Sequence, residues 1–371
     1  MATVRGDPVD RPGVCFYEIG GFDVDPDDPD EFNVYNAPSW RPLLELAERR
    51  TDLIRMRSPR LSPAADNCRD ELFATETRLE GSSRFTRTTL AVGGRSLTSL
   101  SRRDAAVHTT WHVEHLLKDA DDLKAYLELP EEVFDYEADT SGLVAAEEAV
   151  GDRGIVMVDA ADPLCHAASL FGMEDYLIVA MTEGRLFHRL LGKLARAIHE
   201  RTAEVAEAFA GRLWRIVGPE YATEPYLPPR LFEEYVVRYT QPMIESIHRH
   251  GGFARLHCHG RLRAVLPMIV AMGADATDPV EPPPQGDVEL ADVRREFGRE
   301  LALFGNLEVS DIETMPPDRF ERVVAGSLRD GTAGAGRGFV LMPTASPYGR
   351  EITPTTFANY ETMVRLALRQ G

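Results

Sequence analysis

The stretch LHCHG at positions 256–260 sets three side chains with metal-ligand or acid–base chemistry beside one another: His257, Cys258 and His259. If 253–257 is a strand, alternate side chains share a face. His257 and His259 then point one way and Cys258 the other. Two imidazoles two residues apart at a strand end are a workable pair of metal ligands. Two imidazoles with one carboxylate make a catalytic zinc set that leaves one coordination position open. Glu281 closes the next apolar run, ADATDPVEP, and is the expected carboxylate. Cys258 is expected as a packed interior thiol, and the competing reading of the whole stretch is a polar turn with satisfied histidines.

These residues need a scaffold that brings strand ends together. Apolar runs starting at Gly13, Leu53, Gly154, Leu213, Phe253, Ala276, Leu301 and Gly338 read as eight strands, and helical patterns follow nearly all of them. Apolar strands alternating with helices imply a parallel sheet. Eight such units in 371 residues predict a single (β/α)8 TIM barrel. A doubly wound open sheet is the competitor, and no G-x-G-x-x-G follows the first strand. A barrel puts its active site at the C-terminal ends of the strands. Those ends offer Glu18, Asp159, Glu220 with Tyr221, His257 with His259, Glu281, Asn306, and Thr344 with Ser346. Glu18, Asp159, Glu220, Tyr221 and Asn306 are therefore the candidate catalytic groups. Simpler roles compete: Glu18 as a cap for the turn at Gly20-Gly21, Asp159 as a helix N-cap near Asp162-Pro163, and Asn306 as a turn residue after Gly305.

Residues 70–116 break this rhythm. LFATETRLEGSSRFTRTTLAV alternates polar and apolar residues, with glycines at the turns, which is a hairpin signature. The following HVEHLLKDADDLKAYLEL reads as helix and would place His112 and His115 on its surface. This β-hairpin and helix form an insertion beside the barrel, and an acidic N-terminal extension precedes it.

The composition narrows the partners. A formal charge of −19 disfavours nucleic acid and anionic membrane. No apolar run reaches the roughly 18 residues of a membrane span, and the N-terminus lacks a signal-peptide core. The four scattered cysteines (Cys15, Cys68, Cys165 and Cys258) fit a reducing cytoplasm. A homodimer is the default assembly.

Four runs carry a family resemblance: 232–260, MGADATDPVEPPPQGDVELADVRREFG, LFGNLE, and GFVLMPTASPYGREITPTTFANY. Together they resemble the uroporphyrinogen decarboxylase superfamily, in its methyltransferase-like branch, which is akin to cobalamin-independent methionine synthase. The resemblance is clearest over 210–371, and weaker over 100–200. It implies one (β/α)8 barrel. It also implies methyl transfer between a corrinoid or small-molecule donor and a thiol or folate acceptor, with a corrinoid protein as a partner and tetrahydrofolate as a possible co-substrate. That branch holds zinc with an H-x-C pair and a later Cys. Here the pair falls on His257 and His259, and no Cys stands near Thr344 to Ser346. The zinc set left open is His257, His259 and Glu281, a harder set than thiolates and a stronger Lewis acid. The alternative activity is cofactor-free decarboxylation. That branch binds its polyanionic substrate with an Arg-rich N-terminal segment, whereas this one is acidic.

Overall fold

The computed structural model describes residues 1–370. The strands, in chain order, are β1 (Gly13–Val14), β2 (Leu53–Arg57), β3 (Arg60–Pro63), β4 (Phe73–Glu80), β5 (Ser83–Val92), β6 (Arg95–Asp104) and β7 (Thr110–Glu114). They continue with β8 (Tyr136–Asp139), β9 (Gly154–Ala161), β10 (Leu213–Val217), β11 (Phe253–His257), β12 (Ala276–Asp278), β13 (Ala302–Leu307) and β14 (Phe339–Pro343).

Eight of them form one all-parallel sheet in the order β1-β14-β13-β12-β11-β10-β9-β2. Their starts match the eight apolar runs to within one residue. The ends of the sheet meet through Asp52. Its N–H donates to the Val14 carbonyl at 2.8 Å, and its carboxylate accepts the Val14 N–H, also at 2.8 Å. Arg11 pins that carboxylate with two bonds of 2.8 and 3.0 Å. The result is a closed (β/α)8 barrel.

Strand alternation divides the apolar residues between two cores. Tyr17, Met56, Met157, Leu213, Ala276, Phe304, Val340 and Met342 fill the barrel interior. Ala254, Leu256 and Cys258 instead join the larger core between the strands and the surrounding helices. Cys258 is thus the packed thiol expected from the period-two argument.

The 70–116 region holds more than one hairpin. Strands β4-β5-β6-β7 make a four-stranded antiparallel sheet. The β5–β6 turn is Gly93-Gly94, both with positive φ (57° and 71°), which a two-residue hairpin of right-handed twist requires. The helix expected directly after it starts late. Residues 110–114 pair with β6 as an edge strand, so His112 lies on a strand and not on a helix. Thr110, Trp111 and Val113 favour this extended backbone. The helix itself is Ala120–Tyr126, capped by the Asp119 carboxylate. The sheet leans on the barrel rim. Arg84 reaches Asp30 at 3.0 Å, Arg103 the Phe32 carbonyl at 2.9 Å, and the His108 N–H the Tyr348 carbonyl at 2.7 Å.

Candidate active site

Two buried layers stack toward the C-terminal end of the barrel. The deeper one is ionic. Arg255, 1% exposed, comes from the inward side of β11, and Asp278, fully buried, ends β12. Arg255 Nε lies 2.9 Å from Asp278 Oδ1, and His257 Nδ1 bonds Asp278 Oδ2 at 2.7 Å. The Arg255 guanidinium also lies 4.8 Å from the Phe304 ring centre. One strand over, Arg215 of β10 donates to Asp159 at 2.8 Å and to the Tyr17 hydroxyl. Burial opposes ionisation of Asp278, but Arg255 and His257 hold its carboxyl well below the usual carboxylate range. Burial lowers the His257 imidazole to about 4, against the pull of Asp278, so His257 is neutral at pH 7.

The upper layer centres on His259. Its ring meets the His257 ring edge-on, with centres 4.6 Å apart. His259 Nδ1 bonds Glu281 Oε1 at 2.7 Å, and Glu281 Oε2 accepts the Gly260 N–H at 2.9 Å. Gly260 makes this possible: its φ is +93°, and a Cβ there would come within 2.9 Å of Thr223 Oγ1. Burial disfavours the His259 imidazolium, but the Glu281 bond outweighs it and raises the imidazole above its ordinary value. Glu281 moves the other way, held below its ordinary range by the same bond despite burial. Two neighbouring imidazoles are thus driven apart: His257 is neutral, and His259 is basic and carboxylate-backed.

Around His259 stand Glu18, Glu220 and Glu308. Burial raises all three carboxyls, with Glu308 reaching about 7 through burial and the nearby Glu281 charge. Glu220 lies in the turn Pro219–Ala222 after β10, and its Oε2 accepts the Gly218 N–H at 3.0 Å. Thr344 donates to Glu308 Oε2 at 3.3 Å. Tyr221 shares the Glu220 turn, but its carbonyl accepts from the Tyr176 hydroxyl and its ring packs against that of Tyr176.

Several expectations need correction. Asp159 does not end its strand, since β9 runs to Ala161, and the N-cap of helix Pro163–Ser169 is Asp162. Asn306 is turned away from the cluster and accepts from Ser327 on helix Pro317–Gly331. Both oxygens of Glu281 are engaged, one by His259 and one by the Gly260 N–H, so it does not converge with the two imidazoles as a third ligand. Among the described residues, no group of three His, Cys, Asp or Glu side chains is arranged to hold a metal ion. The expected zinc set therefore does not fit this geometry.

Tyr17, Arg215, Arg255, Asp278 and Glu308 belong to the site without being among the strand-end candidates. Alternation could have found Arg255 and Asp278, which sit on the inward register of β11 and β12 shared by His257. Glu308 was visible as the acid closing LFGNLE.

Comparison with known proteins now adds the family. The uroporphyrinogen decarboxylase (URO-D) family model matches residues 108–367. The chain belongs to that family. Among solved structures, a methyltransferase from Methanosarcina mazei aligns with a TM-score of 0.59 at 15% identity, covering 99% of this chain and 96% of that one. At that identity the likeness shows the fold. A D-psicose 3-epimerase solved in the presence of D-fructose aligns over 67% of this chain and 85% of that one, with a TM-score of 0.32 and 11% identity, which carries no argument. No curated protein matches the chain in sequence. Among the described residues, no helix of this family member is long and apolar enough to cross a membrane.

Proposed function

We propose that this URO-D family member is a methyltransferase-like enzyme. It moves a methyl group from a corrinoid or small-molecule donor to a thiol or folate acceptor. The observation that carries this reading is the His259–Glu281 pair at the barrel mouth. With Nδ1–H donated to Glu281, His259 Nε2 is the basic nitrogen, and a general base of raised pKa suits an acceptor that must lose a proton. The acceptor thiol gives its proton to Nε2. The thiolate sulfur then bonds the methyl carbon as the carbon–donor bond breaks, and that electron pair stays on the donor. His257 remains neutral and fixes the position of the His259 ring. The structural likeness to a methyltransferase supports the direction of the reading.

Decarboxylation of a polyanionic substrate is the second activity open to the family. The surplus of carboxylates at this mouth opposes it, because Glu18, Glu220 and Glu308 would each repel an acidic substrate. The test is direct. Purified protein is mixed with a thiol acceptor and methylated donors, and thioether formation is followed by mass spectrometry. Thioether that is lost in His259→Gln supports the reading. No thioether with any donor class, or full activity in His259→Gln, would overturn it.

A further inference from the structure

A cavity of about 160 Å³ lies on the outer side of the barrel wall, between β9 and β10 and the helix Gly184–Ala208. Val158 and Trp214, which line it, belong to the core between strands and helices, so the strands themselves separate this space from the barrel interior. Leu61, Ala160, Ile198 and Val205 complete an apolar bed. Two hydroxyls also line it, and both are taken. Ser58 donates to the Asp159 carbonyl at 2.8 Å, and Thr202 to the Ile198 carbonyl at 2.7 Å.

Two polar groups in the lining remain without a partner, Arg201 and His166. Arg201 is half-buried, yet among the described residues its guanidinium makes no hydrogen bond, ion pair or aromatic contact. Burial opposes its charge, and Tyr136 is the one titratable group that favours it. Every other buried or half-buried arginine among the described residues has an acid, a carbonyl or an aromatic ring against it. Arg57 takes the Gly21 carbonyl at 2.7 Å, Arg212 takes the Glu147 carboxylate at 2.6 and 2.7 Å, and Arg69 lies over the Phe73 ring, 3.9 Å from its centre. The chain has 60 acidic residues against 41 basic ones, so a scarcity of carboxylates does not explain a lone guanidinium. A guanidinium drawn partly out of water without an anion forfeits its charge-assisted hydrogen bonds. The His166 side chain reaches the surface at this cavity, and its ring has no protein partner. The atoms packed round it, with the Arg201 charge beside it, push the imidazole down to about 4. At pH 7 it is neutral and offers one N–H.

The ligand these groups describe has one negative charge and a short apolar body. A planar guanidinium fork matches a carboxylate through two parallel hydrogen bonds. A single cation balances a single charge. A dianion would leave its second charge beside Val158, Ile198 and Val205, where an unpaired charge is costly. At about 30 Å³ for each water-sized group, the space holds about five of them.

We propose that this cavity binds a short-chain monocarboxylate. The carboxylate lies on Arg201, with His166 donating to one oxygen, and the hydrocarbon lies on Trp214 and Val205. The site is separate from the barrel mouth and does not rest on the methyl-transfer reading.

The test is a ligand-observed NMR titration of the full chain with butyrate and with its uncharged isostere butyramide, at equal ionic strength. Butyrate is expected to bind at least about tenfold more tightly, because only the anion completes Arg201. Arg201→Gln is expected to bring butyrate down to the level of butyramide. Intermolecular nuclear Overhauser contacts should run from the butyrate chain to the methyl groups of Val158 and Val205. Equal binding of the two compounds, no butyrate binding, or a preference that survives Arg201→Gln would overturn the proposal. So would contacts to residues of the barrel mouth instead. Inorganic phosphate that binds as tightly as butyrate would overturn it too, since the apolar bed would then play no part. The comparison of butyrate with butyramide and the contacts need only the wild-type chain, so they decide the matter even if the variant does not fold.

Discussion

Two layers of the same barrel treat charge in opposite ways. In the lower layer every ionic group has an opposite, Arg255 with Asp278 and Arg215 with Asp159, and the neutral His257 adds a hydrogen bond to Asp278. In the upper layer the acids outnumber their partners, and only Glu281 has one, in His259. The lower layer lies among the apolar side chains that fill the barrel, where an unpaired charge is very costly. The upper layer opens toward solvent and tolerates the imbalance. Pairing marks the groups that hold the frame, and the groups without an ionic partner lie where solvent reaches them. His257 and His259 straddle the boundary, one assigned to each layer although they are two residues apart.

The largest effect expected from breaking this division is on rate. His259→Gln removes the basic nitrogen and should lower methyl transfer by roughly 10²–10⁴-fold, the usual share of a general base. The unfolding midpoint in urea should hardly move. A rate loss matched by an equal loss of stability would place His259 in the frame and dissolve the distinction. Next comes Arg255→Met, which takes the guanidinium from Asp278 and leaves the buried carboxylate with only the His257 imidazole bonded to it. Removing one partner of a buried pair typically costs about 3–5 kcal/mol. Urea unfolding should show a loss of that order. A loss below about 1 kcal/mol would mean that the lower layer is not structural. Glu18→Gln, in the upper layer, should cost far less stability.

The sequence made the barrel legible because parallel strands buried on both sides are nearly continuous apolar runs, and each start was marked by a glycine or a change of polarity. It also placed His257 and His259 on one face and Cys258 on the other, since the period of a strand is two. It did not show what each carboxylate would touch. Glu281 read as a ligand beside the imidazoles, whereas its distance along the chain from Gly260 hid the backbone bond that claims its second oxygen. Asn306 read as a strand-end group pointing to the mouth, but its side chain is taken by Ser327 on the neighbouring helix. Arg215 and Arg255 were overlooked because a charged residue inside an apolar run looks like an edge position. Only the closed ring brings it opposite its acid. The 110–114 segment read as the start of a helix because its strand character depends on pairing with β6, a partner that periodicity does not display.

The smallest expected effect tests the upper layer through pH. Glu308 titrates near 7 in the folded chain, raised from its ordinary 4.5 by burial and by the charge of Glu281. Between those two values the folded chain binds more protons at this group than the unfolded chain does. Stability must therefore fall as pH rises across that window, and the Glu308 share is fully present below about 4.5 and gone above about 7. Glu308→Gln keeps the acceptor for Thr344 and removes the titration. Melting temperatures of the two proteins at pH 5 and pH 8 give the comparison. Relative to wild type, the variant should be more stable at pH 8 than at pH 5, by a modest margin because Glu308 is only partly buried and solvent screens it. Equal differences between the two melting temperatures at pH 5 and pH 8 would show that Glu308 carries no unbalanced charge and that the upper layer is as well paired as the lower one.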